Sequence, residues 1–176
     1  MTINELILYN ARKFLSQQEI RGNQGFQDEK FQKLMEACGW QKGQAWCAYF
    51  FELVWKLAYE NYDKPTIKVL DKLFSAGAVK TYNNFKASEF IVNQVPSIGA
   101  GVIWQNYKDN KPHWTGHAGI VYKIYSDDSD KFETIEGNTN SKGGREGIEV
   151  AKQIRTLNFE PKQKGLVLKG FIHPKE

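Results

Sequence analysis

Residues 43–60 read GQAWCAYFFELVWKLAYE. The segment begins with glycine and polar residues, reaches a cysteine at position 47, and continues as an almost unbroken apolar run. Its polar residues Glu52, Lys56 and Glu60 recur every four positions, so on a helix they form one solvent-facing stripe, while every other face is apolar or aromatic. Glu52 placed four residues before Lys56 is also the favourable order for an ion pair along a helix. The pattern predicts a mostly buried helix over 47–60 with Cys47 in its first turn. Unpaired N–H groups and the helix dipole at such a position stabilise a thiolate.

Working outward, the N-terminal residues MTINELILYNARKFLSQQ place Leu6, Ile7, Ala11, Phe14 and Leu15 at helical spacing. Glu5, Arg12 and Lys13 interrupt any signal-peptide-like apolar run, and no small-residue cleavage site follows. The expectation is synthesis in the cytoplasm without a leader. After a polar connector, EIRGNQGFQDE, the stretch KFQKLMEACGW predicts a second helix ending near Gly39. Short helices are expected around IKVLDKLF and AVKTYNNFKA. From Gly99 onward the pattern turns to strands: AGVIW, HAGIVYKIY, KFETIEG, GIEVAKQIRTL and LVLKGFIH. Between the second and third of these, SDDSD has the composition of a hairpin turn. Helices first and consecutive strands afterwards predict an α+β domain with an antiparallel sheet, residues 1–176 forming one unit.

Composition narrows the function. The chain is 41% hydrophobic, 25% charged and 14% aromatic, as expected of a soluble globular protein. A net charge of +4, from 24 basic and 20 acidic residues without a basic run, does not support nucleic-acid binding. No apolar stretch has the length of a membrane span. The two cysteines, Cys38 and Cys47, are read as unpaired thiols, with Cys38 a core residue. His113 and His117 are four apart, but the intervening glycine and the strand that follows make a poor metal site. No metal or cofactor is expected. His113 and His173 are read as surface or structural.

The strand pair around SDDSD carries the remaining chemistry. His117, Gly119 and Val121 share one face of the first strand; Phe132, Thr134, Glu136 and Asn138 share one face of the second. A four-residue loop would pair Tyr125 with Asp130, and hence Gly119 with Glu136 and His117 with Asn138. A loop two residues longer pairs His117 with Glu136. Both registers gather the imidazole, carboxylate and amide on one face, and a one-residue slip separates them. A carboxylate-held imidazole beside a helix-tip thiol is a nucleophilic constellation. The structural alternative is that Glu136 and Asn138 merely support the loop GNTNSKGGREG. Trp46, Tyr107 and Trp114 are candidates either for lining a groove or for packing.

AWCAYFFELV, GHAGIVYKI and TIEGNTN together resemble the three motifs of the cysteine, histidine-dependent amidohydrolase/peptidase (CHAP) family, papain-like enzymes related to the NlpC-like peptidases. The likeness runs over roughly residues 20–173. Cys47 and His117 are 70 residues apart and His117 and Glu136 are 19 apart, compatible with the family's layout. One departure is PSIGAGVIW, where the family commonly has proline–glycine–aspartate before its strand and this chain has Ala100. The resemblance implies a papain-like fold with Cys47 as nucleophile, His117 as general base, Glu136 orienting the ring and Asn138 as a supporting polar group. It implies a peptidoglycan hydrolase cutting a muramoyl-alanine amide or a stem or cross-link peptide bond, as a prophage lysin or exported effector released by holin-type or dedicated machinery. Peptidoglycan is the expected partner, with an immunity or inhibitor protein as a further candidate and a monomer as the expected state. The alternatives are a wall-binding module without turnover, and a cysteine amidase of a small soluble or protein substrate.

Overall fold

The computed structural model describes residues 1–127, 130–139 and 147–176. Helix α1 (Ile3–Lys13) opens with a capping box: the Thr2 hydroxyl accepts from the Glu5 N–H, and the Glu5 carboxylate accepts from the Thr2 N–H. The connector forms a two-stranded ribbon, β1 (Glu19–Ile20) with β2 (Gly25–Phe26), turned through Gly22 and Asn23 at positive φ. Helix α2 (Glu29–Ala37) is capped by Asp28, which accepts from the N–H groups of Lys30 and Phe31. It ends at Gly39, whose φ of 93° is the left-handed C-terminal conformation anticipated there. Helix α3 (Cys47–Tyr62) follows, then a 3₁₀ turn at Lys64–Thr66, α4 (Ile67–Leu73) and α5 (Ala78–Lys86).

The strands are β3 (Val92–Asn93), β4 (Gly101–Lys108), β5 (Lys111–Ile124), β6 (Lys131–Thr139), β7 (Glu149–Thr156) and β8 (Gly165–Ile172). They form one antiparallel sheet in the order β3-β8-β4-β5-β6-β7. The molecule is thus α+β, with helices N-terminal and strands C-terminal, as the sequence pattern implies. Among the described residues no helix is long and apolar enough to cross a membrane.

Strand β5 starts six residues before His117, so the histidine sits in mid-strand rather than at a strand start. The cause is a two-residue turn between β4 and β5. Asp109 and Asn110 both take positive φ, 51° and 62°, and Lys108 pairs with Lys111. Asp and Asn tolerate the left-handed region that such a hairpin demands.

Helix α3 lies against β5 and β6 at the main core, where Phe50, Phe51 and Trp55 pack with Ala118, Ile120 and Ile135. Two glycines permit the approach. A Cβ on Gly101 would sit 1.9 Å from the Phe51 ring, and one on Gly137 would sit 2.7 Å from Phe50 and Trp46. The opposite face of the sheet carries a second, smaller cluster: Val102, Trp104, Val121, Phe132, Leu168 and Phe171, with Leu157, Phe159 and Leu166 against it.

The stripe on α3 is not uniformly wet. Glu52 is buried, and Lys56 links it at 2.5 Å to Asp71 of α4 at 2.6 Å. Packing of α4 covers this end, and the ion pairs supply the hydrogen bonds that a buried carboxylate requires.

Candidate active site

Helix α3 has no side-chain cap: Trp46, its N-cap residue, makes no capping hydrogen bond to the first turn. The N–H groups of that turn are left for other acceptors. The N–H groups of Ala48 and of Ala118 on β5 favour the anionic form of the Cys47 sulfur. Cys47 is 8% exposed, at the base of a cleft of about 260 Å³ walled by Gln44, Ala45, Ala76, Gly77, Ala78, Trp114, Thr115 and Gly116.

His117 comes from the neighbouring sheet. Its Nε2 donates to Glu136 Oε2 at 2.7 Å, and both side chains are essentially inaccessible. The other ring nitrogen, Nδ1, has no fully formed hydrogen bond among the described residues, and the group coupled to that side of the ring is the Cys47 thiol. By strand alternation His117 and Glu136 leave the sheet on the face of the smaller cluster, since Trp104 pairs with His117 and Val121 lies two same-face positions further along β5.

The register explains how Glu136 arrives. Ile120 pairs with Ile135 and Val121 with Thr134, so Gly119 stands opposite Glu136, as in the shorter of the two anticipated registers. A Cβ on Gly119 would lie 2.7 Å from Glu136 Cγ; the missing side chain is the space that the carboxylate crosses. Nearer the loop, however, Lys123 pairs with Glu133 and Ile124 with Phe132, one residue out of step. A β-bulge between Val121 and Lys123 absorbs the slip before it reaches the site. The loop tip itself, Asp128 and Ser129, lies outside the described residues.

Asn138 does not join the ring. It takes φ 54° beside an irregularity between Glu136 and Thr139, which breaks the alternation that would have kept it on the face of Glu136. Its Oδ1 instead accepts from the Trp46 N–H at 2.9 Å, and its Nδ2 donates to the Gly147 carbonyl at 2.7 Å. It thereby ties the end of β6 to the turn that carries Cys47. Most of the loop following Asn138, residues 140–146, lies outside the described residues.

Three residues to which the sequence reading gave no role complete the surroundings. Arg155 forks onto Glu136, Nε to Oε1 at 2.7 Å and Nη2 to Oε2 at 2.5 Å. Thr134 donates to Oε1 at 2.6 Å. Trp104 lies against His117, ring centroids 5.7 Å apart, and beneath the Arg155 guanidinium at 4.9 Å. The short β4–β5 turn was the signal that would have placed Trp104 opposite His117. The aromatic candidates separate: Trp46 is fully buried with its Nε1 on Glu19, Tyr107 is half-buried away from the cleft, and Trp114 is 76% exposed on the cleft rim.

Cys38 behaves as a core thiol, packed on the main cluster with burial pushing its pKa up to about 12. Cys47 is the opposite case. Burial pushes its pKa up, but the neighbouring His117 ring and its charge, with the two N–H groups, outweigh this and lower it. Burial likewise opposes protonation of His117, yet the Glu136 charge and the thiol raise its pKa to about 9. Burial also disfavours ionised Glu136, and the His117 charge with the Arg155 hydrogen bonds overcomes it, giving about 2. The favoured state is a thiolate beside an imidazolium, backed by a carboxylate.

The CHAP domain family model matches residues 39–138, more than half of the chain and every one of Cys47, His117, Glu136 and Asn138. The chain belongs to the CHAP family. No curated protein and no solved structure matches it. CHAP domains are in general cysteine- and histidine-dependent amidohydrolases with a peptidoglycan amidase or peptidase role. Arg155 lies beyond the segment that the family model matches.

Proposed function

We propose that this CHAP domain hydrolyses an amide bond of peptidoglycan, at the muramoyl-alanine linkage or within the stem or cross-link peptides, through a thioester on Cys47. The observation that carries the reading is the Cys47 thiol at the base of an open cleft, against an imidazole whose far nitrogen is held by a buried carboxylate. The thiolate attacks the amide carbonyl, forming a C–S bond and an oxyanion. The donors offered to that charge are N–H groups of the first turn of α3 and the carboxamide of Gln44, which lines the cleft. The Gln44 oxygen already accepts from the Gln41 N–H and the Tyr49 hydroxyl, which leaves its NH₂ as the donating end. Collapse breaks the C–N bond as His117 Nδ1 gives its proton to the departing amine. Neutral Nδ1 then takes a proton from water, and the resulting hydroxide releases a carboxylic product and restores the thiolate. The biological setting we infer, a prophage-type lysin or an exported effector, rests on the family resemblance.

Mass spectrometry of muropeptides after digestion of purified sacculi tests the substrate and the bond together. New free amines in released peptides are expected, without new reducing sugar ends. Binding to sacculi with no release favours a non-catalytic module, and cleavage confined to a small soluble amide favours the other enzymatic reading. Either result removes the proposal.

The titrating groups set a pH profile. Turnover is expected to fall on the alkaline side as His117 loses its proton near pH 9, and on the acid side as Cys47 protonates below the ordinary thiol range. Glu136 stays ionised throughout, since it titrates near 2. The two limbs belong to the coupled pair rather than to single residues. Stability follows with opposite signs. His117, raised above its ordinary 6.5, contributes fully below that value and loses its contribution as pH rises through about 9. Glu136, depressed from 4.5, contributes above that value and loses its contribution as pH falls toward 2. Rates of fragment release across pH 4–10 and melting temperatures across pH 2–10 check both; an alkaline limb at the ordinary imidazole value contradicts the ion pair.

A further inference from the structure

The carboxylate of Glu136 is surrounded on all its acceptor positions. Oε1 receives Thr134 Oγ1 and Arg155 Nε; Oε2 receives His117 Nε2 and Arg155 Nη2. Four donors on two oxygens leave the group no freedom to rotate. The guanidinium supplies half of them from β7, the edge strand on that side, and lies over the same Trp104 that contacts the His117 ring.

The charges can be counted element by element. Facing this centre, α3 brings Cys47, β5 brings His117, β6 brings Glu136, β7 brings Arg155, and β4 brings the uncharged Trp104. Among the described residues the charged groups acting on Glu136 are His117 and Arg155. Lys162 lines a separate groove that Arg155 and Trp104 also line, away from the Cys47 cleft, with its Nζ on the Leu166 carbonyl. In the thiolate–imidazolium state two negative groups, Cys47 and Glu136, face two positive ones, His117 and Arg155. Without Arg155 the buried cluster carries an excess negative charge. Such an imbalance is costly in an interior of low polarity.

We infer that Arg155 is a positioning residue of the catalytic site: forked onto Glu136 and laid over Trp104, it balances the buried carboxylate so that thiolate and imidazolium coexist beside the cleft. This rests on the proposed function of Cys47 and His117, and adds a fourth charged group that acts through Glu136. Geometry favours arginine specifically. A planar fork matches both carboxylate oxygens and presents a flat face to the indole, whereas an ammonium does neither.

The test reads Cys47 directly and needs no substrate. Alkylation by iodoacetamide is followed against pH by mass spectrometry of the Cys47 peptide. In Arg155→Met the midpoint is expected to move up by about one pH unit, because a positive charge that favours thiolate has gone. The alkaline limb of peptidoglycan turnover should move up in parallel, since the imidazolium loses a repelling neighbour. A purely structural role would reduce amplitude without moving either limb. Arg155→Lys, which keeps the charge and loses the fork, should restore most of the alkylation midpoint while turnover stays at least about tenfold low. An unchanged midpoint in folded Arg155→Met overturns the inference while leaving the function reading standing. An unmodified protein whose Cys47 titrates as an ordinary thiol removes both. Should Arg155→Met fail to fold, the double variant Arg155→Met/Glu136→Gln, with the carboxylate neutralised as well, is expected to recover the fold. Failure of that recovery also overturns the inference.

Discussion

Cys47→Ala is expected to lose peptidoglycan hydrolysis by at least about 10⁵-fold, the scale on which a nucleophile and its base act as one unit. The fold should persist. Cys47 contributes little buried volume, and alanine preserves the helical first turn. What changes is the charge beside the ring: with the thiolate gone, His117 should titrate below its present value of about 9, though Glu136 still holds it up. Zymography, circular dichroism and an NMR titration of His117 Cε1–H read the three effects separately. Hydrolysis at the parent rate in a folded Cys47→Ala protein would refute the thioester mechanism outright.

Glu136→Gln should be the next most damaging change, with turnover falling by about 10³-fold, less than loss of the nucleophile. The volume is unchanged, but the carboxamide has only one acceptor oxygen where the carboxylate meets donors on two. Its NH₂ faces an Arg155 donor whichever way the group turns, and the guanidinium loses its counter-charge. About 3 kcal/mol of stability is expected to go with it, because one member of a buried ion pair has been removed. The imidazole pKa should drop at the same time. Chemical denaturation paired with a turnover assay checks this; a variant of parent activity and stability would show that the carboxylate neither orients nor charges the ring.

Much of this site was legible because short-range patterns carried it. The polar stripe and the glycine before Cys47 marked a buried helix and its start. The parity of His117, Gly119 and Glu136 along two strands placed imidazole and carboxylate on one face. Asn138 escaped the same reasoning, since alternation assumes a regular strand and its left-handed backbone breaks the rule locally. Glu52 looked solvent-facing because a helical stripe says nothing about which neighbouring helix covers one end of it. Arg155 was hidden for a different reason. It pairs with Phe132, two same-face positions from the partner of Glu136, and its long side chain must run back along the strand to reach the carboxylate.

The amino-acid order alone determined the α+β class, the helix that begins at Cys47, and the shared strand face of His117 and Glu136, since these follow from periodicity and residue type. Tertiary structure decided that a loop one residue out of step is corrected by a bulge before the site. It also decided that an amide turns to the helix tip and that an arginine two same-face positions along the edge strand closes the charge balance. Register, bulges and long-side-chain reach depend on how strands meet in space, and no local pattern encodes them.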